Sequence, residues 1–62
     1  MTIKDAKFGD KFRTIEFKTA LFCGIYDKIA LFYVEDVGEV QVFAENGKEI
    51  HGDTDNDIYI RP

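Results

Sequence analysis

Chemistry in a protein needs a reactive group held beside a second one. This sequence of 62 residues offers few such groups. Its one thiol is Cys23 and its one imidazole is His51. A nucleophilic dyad needs that pair within hydrogen-bond reach. Cys23 sits inside the apolar run Leu21-Phe22-Cys23-Gly24-Ile25, where a free cysteine behaves as a small hydrophobe. His51 lies beside Gly52 in a polar stretch. The expectation is therefore a buried thiol and a solvated imidazole, and no enzyme.

Metal chemistry fares no better. One cysteine and one histidine cannot supply the ligands of a zinc site. Asp53-x-Asp55-x-Asp57 has the spacing that opens a calcium loop, but the sixth position, where such a loop needs glycine, is Ile58. The simpler expectation is a turn whose carboxylates cap backbone N–H groups. No cofactor and no metal is expected. The five glycines are scattered, so no phosphate-cradling loop is present. The carboxylate pair Glu35-Asp36 falls at a predicted turn, where it reads as a solvated corner.

What remains is a supply of groups for binding. Arg13 and Arg61 are the only arginines, near the two ends of the chain. In a closed barrel the first and last strands become neighbours, and two guanidinium groups brought together can clamp a phosphate. Tyr26, Tyr33 and Tyr59 could stack a base. The competing expectation is that Arg13 pairs with Asp10 or Glu16 and that the rings merely cover the fold. The candidate ligand-binding residues are Arg13, Arg61, Tyr26, Tyr33 and Tyr59.

The elements that must position them are short. Phe8-Gly9-Asp10 reads as a turn, and Lys11 to Thr14 as a first strand. Ile15 to Lys18 connects to a second strand, Thr19 to Tyr26. Asp27-Lys28 is a two-residue turn, Ile29 to Val34 a third strand, and Glu39 to Phe43 a fourth, alternating polar and apolar. Asn46-Gly47 is a strong hairpin signal. A polar loop over His51 to Asp57 leads to a last strand, Ile58 to Arg61. A helical turn is expected over Ile3 to Lys7. The whole, residues 1–62, is predicted to be one all-β domain: a small antiparallel meander of five or six short strands closing into a barrel.

The hairpin over residues 19–34 is apolar on both faces. Strict alternation puts Ala20, Phe22, Gly24 and Tyr26 on one face and Leu21, Cys23 and Ile25 on the other. The Phe22/Tyr26 face is expected to fill the core. The Leu21/Cys23/Ile25 face then needs a cover, and a homo-oligomer is expected to supply it.

Formal net charge is −4, which argues against nonspecific nucleic-acid binding. The charge is uneven: residues 1–28 carry six Lys/Arg against four Asp/Glu, and residues 29–62 carry two against eight. No apolar run reaches a membrane span, and the first residues show no apolar signal core. With no disulfide framework either, a cytoplasmic location is expected, with no membrane partner.

The runs Ala6-Lys7-Phe8-Gly9-Asp10-Lys11-Phe12-Arg13-Thr14, Ala20-Leu21-Phe22-Cys23-Gly24, Tyr33-Val34-Glu35-Asp36-Val37-Gly38 and Asp57-Ile58 resemble small SH3-like barrel proteins of phages and prophages of gut bacteria. The resemblance covers most of the chain and is carried by turn and strand residues. It implies an SH3-like barrel and an anti-defence accessory role inside a bacterial host cell. Such a protein would sequester a small anionic nucleotide signal or bind a bacterial host protein. The alternatives are a protein-interaction module or inhibitor with an acidic docking face, and a minor structural phage protein.

Overall fold

The computed structural model describes residues 3–60. Four strands form one antiparallel meander in the order β1-β2-β3-β4: β1 (Lys11–Arg13), β2 (Thr19–Tyr26), β3 (Ile29–Val34) and β4 (Gly38–Phe43). Every connection links neighbours, as expected where tight turns join β-branched and aromatic runs. Asp27 and Asp36 take left-handed φ values of 57° and 63° at the two hairpin turns. Aspartate tolerates that region better than most residues. A short 3-10 turn over Ile3–Asp5 precedes the sheet, and a second, Thr54–Asn56, lies in the C-terminal loop.

The expected SH3-like barrel is not found: the sheet stays open. β1 and β4 form no ladder with each other. The expected fifth strand is reduced to an isolated bridge, Thr14↔Ile58, and the stub after the Asn-Gly turn to another, Val42↔Glu49. The reason lies in residues 44–60. Their carboxylates satisfy backbone N–H groups locally, which competes with extended pairing. Asp53 accepts from Asp55 N, and Glu49 from His51 N and Asp53 N. A loop so engaged cannot supply the run of residues a ladder needs. It crosses the gap instead, held by hydrogen bonds from Ile58 N to Gly47 O (2.8 Å) and from Tyr59 N to Arg13 O (2.8 Å).

The core lies on one side of the sheet. Ala20, Phe22, Ala30, Phe32, Val34, Val40 and Val42 point inward, with Ile3, Ala44 and Ile58 closing over them. Phe32 is the centre: the rings of Phe12 and Phe22 meet it edge-on at 5.2 and 5.5 Å.

Alternation fails in the middle of β2. Phe22 pairs with Phe32, but the next pair is Gly24↔Leu31, so Cys23 is the extra residue of a bulge. Gly24 takes φ +152°. The bulge inverts the parity of everything after it. Ile25 pairs with buried Ala30 on the core side, and Tyr26 moves to the outer face, 87% exposed. The expectation that Tyr26 shares the core face with Phe22, and Ile25 the outer face with Leu21, is thus corrected for both residues. Ala20 and Phe22 are buried as expected.

Candidate functional site

Arg13 ends β1, facing away from the core-directed Phe12. Its guanidinium contacts two rings. The Cζ atom is 3.9 Å from the centroid of Tyr59 and 4.6 Å from that of Phe17. Two elements bring the rings there. Tyr59 is placed by its own N–H, which donates to the carbonyl of Arg13 and lays residue 59 along the free edge of β1. Phe17 is placed by Thr14. That side chain is fully buried, and its Oγ1 accepts from the N–H groups of Glu16 and Lys18, both at 3.2 Å. The Thr14 N–H donates to Lys18 O, and the Phe17 N–H to Thr14 O. The loop is wound tightly around one hydroxyl, and Phe17 is driven to φ 66° with the residue 77% exposed.

A left-handed aromatic is a genuine backbone outlier, costing on the order of 1–2 kcal/mol. Strain of this kind concentrates at functional sites. Arg13 donates from Nη1 to Thr14 O at 3.1 Å. Among the described residues no carboxylate pairs with it. Asp10 is engaged elsewhere, its Oδ2 accepting from Lys7 N. The guanidinium therefore touches two rings and one backbone carbonyl, and a group with five N–H donors has more of them than that single hydrogen bond uses.

Of the five candidate residues, the fold brings Arg13 and Tyr59 together. Arg61 lies outside the described residues, so the two-arginine clamp is not described. Tyr33 is on the outer face of β3, two strands across from Arg13 and two residues along, about 12 Å at ordinary strand geometry. Tyr26 ends β2 beside an open hollow of about 590 Å³ lined by Gly24, Ile29, Leu31 and Gln41 among others. That hollow is mostly apolar and suits no anion. Sequence reasoning missed Phe17, which lay in what read as a connection. The available signal was an aromatic residue inside a polar loop four residues from an arginine.

The other candidates resolve into structure. Cys23 donates weakly to Leu21 O within its own strand, and exposed His51 donates its backbone N–H to Glu49. The Asp53/Asp57 carboxylates cap backbone N–H groups of Asp55 and Glu49. No cluster of three or more His, Cys, Asp or Glu residues poised for a metal occurs among the described residues. No family model matches this chain, and neither does a curated protein or a solved structure.

Proposed function

We propose that this chain is a noncatalytic binding protein that captures a small anionic ligand of the nucleotide class at Arg13. One observation carries the reading: a guanidinium in contact with the rings of both Tyr59 and Phe17, with no carboxylate partner among the described residues. Rings beside a guanidinium displace part of its water shell, and a guanidinium can donate two parallel hydrogen bonds to one acceptor group. A phosphate presents the matching pair of acceptors. The exposed ring of Phe17 offers a surface for a base, and base–aromatic stacking contributes about 1–3 kcal/mol. A phage-type accessory role, removing a nucleotide signal of host defence, is the biological setting that the resemblance of the turn and strand residues implies.

An acidic docking face gains no such support. Glu35 and Asp36 lie at one end of β4 and Glu45 beyond the other, so the carboxylates are spread around the molecule.

Titration calorimetry against inorganic phosphate, cyclic nucleotides and ADP-ribose-derived nucleotides tests the reading. At least one nucleotide should bind. Arg13→Lys keeps the charge but loses the planar fork and the stack. It should weaken that nucleotide by roughly tenfold to a hundredfold, the equivalent of one charge-assisted hydrogen bond of about 1.5–3 kcal/mol. Heat signals absent across the whole panel, or equal affinity in Arg13→Lys, end the proposal.

A further inference from the structure

The outer face of the sheet has no cover within the described chain. Leu21, Tyr26, Tyr33 and Phe43 are exposed on it, and Ile29 and Leu31 are partly so. The register shows how these residues are ordered. Lys11 pairs with Leu21, Leu21 with Tyr33, and Tyr33 with Glu39. One row across all four strands therefore reads cation, apolar, aromatic, anion. The next row holds Gly24 on β2 beside Leu31 on β3. There a Cβ built on Gly24 would meet nothing within 4 Å, so the glycine leaves a notch beside a leucine knob.

Both rows are complementary to themselves under one operation. A two-fold axis midway between facing sheets and parallel to β2 and β3 sets β2 of one copy over β3 of the other. The same axis sets β1 over β4. The first row then meets itself with Lys11 over the partner copy's anion and Leu21 over the partner copy's tyrosine. In the second row each Leu31 enters the notch above the other copy's glycine. Facing sheets pack about 10 Å apart, a gap that lysine and glutamate side chains bridge together.

We infer that the outer sheet face is the interface of a symmetric dimer of this chain, in which Lys11 of each copy pairs with Glu39 of the other. A heterologous contact would not require the two edges to carry opposite charge in the same row. Within one copy Lys11 and Glu39 stand three strand spacings apart, about 14 Å, too far for an ion pair. Arg13 shares the outer face of β1 with Lys11, two residues along, so the anion site lies beside this interface; the charge exchange leaves Arg13 unchanged, and nucleotide calorimetry reads that site separately.

Charge exchange decides it, read by native mass spectrometry and sedimentation equilibrium. The wild type should be a dimer. Lys11→Glu and Glu39→Lys should each weaken it roughly tenfold or more, because each change sets like charges against each other twice. An equimolar mixture of the two single variants should form a heterodimer. The double exchange, Lys11→Glu with Glu39→Lys, should restore the homodimer. Both positions are exposed, so circular dichroism should stay unchanged throughout. A wild type that is monomeric at every concentration overturns the inference and leaves the face to some other partner. A dimer indifferent to the single changes overturns it too, as does a mixture that fails to pair.

Discussion

Phe17 shows how one buried hydroxyl can shape a surface. Thr14 Oγ1 accepts from two backbone N–H groups of the loop that follows, and the loop's tightness puts Phe17 in left-handed backbone with its ring on Arg13. At an exposed site with negative φ, glycine is normally less stable than alanine, because it gains more freedom on unfolding. Here the order should reverse. Phe17→Gly relieves the left-handed strain and Phe17→Ala retains it. Both lose the cation–ring contact equally, so that term cancels between them. In urea denaturation Phe17→Gly should be the more stable of the two by about 1 kcal/mol. An alanine variant as stable as the glycine variant would mean that the loop relaxes and that Phe17 is unstrained. None of this was legible in the sequence. Thr14-Ile15-Glu16-Phe17-Lys18 contains no glycine, proline, asparagine or aspartate, so nothing marks a tight turn with positive φ. Arg13 and Tyr59 were legible as chemistry because few other groups could bind an anion. Their meeting was legible only in outline, through the expected nearness of the first and last strands.

At the scale of the strands, propensity and turn residues were enough to place β2 and β3, whose bounds match those expected. Their faces were not, because a bulge changes parity without changing composition. Gly24 was the only hint, an isolated glycine in a strand being a frequent bulge mark. The physics of the bulge gives a sharp expectation. Cys23 is the unpaired residue, and Phe22, Gly24, Ile25 and Tyr26 already pair in order with Phe32, Leu31, Ala30 and Ile29. Deleting Cys23 should therefore leave every pair intact and produce a regular ladder. The shortened chain should fold, at a cost of about 1 kcal/mol or less for the altered local twist, where a one-residue slip would turn the whole core face to solvent. Amide exchange protection over β3, with cross-strand nuclear Overhauser contacts between residues 22 and 32, tests this. A shortened chain that is unfolded, or that pairs residue 22 with another partner, shows that the bulge holds the register and does not merely interrupt it.

For the molecule as a whole, the open sheet raises the question of what seals its core. A domain of this size gains little from burial, with a single core rarely supplying more than about 3–5 kcal/mol. One side of that core is closed by residues 44–60, which are held by a few hydrogen bonds and no ladder. Their anchor is Gly47. Its carbonyl accepts from Ile58 N, and its N–H donates to Phe43 O at 2.7 Å. Asn-Gly announced a turn here, but the sequence did not reveal why only glycine fits, since that depends on a segment eleven residues later. A Cβ on residue 47 would lie 2.6 Å from Ile58 O and 3.0 Å from Ile60 Cδ1, on a backbone at φ +74°. Backbone oxygen cannot yield as a flexible side chain does. Gly47→Ala must therefore push the 58–60 segment off the sheet or distort the turn, and each route loosens Ile58, which is buried in the core. The cost should reach about 3 kcal/mol or more, combining left-handed strain with lost burial. That is comparable to the total stability of so small a domain, so the variant should be largely unfolded at room temperature by circular dichroism. Because Tyr59 leaves with the same segment, any fraction still folded should show a loosened Arg13 site and weaker nucleotide binding. A Gly47→Ala protein with wild-type melting and wild-type binding would show that the C-terminal segment is not the seal, and that the four strands hold their core without it.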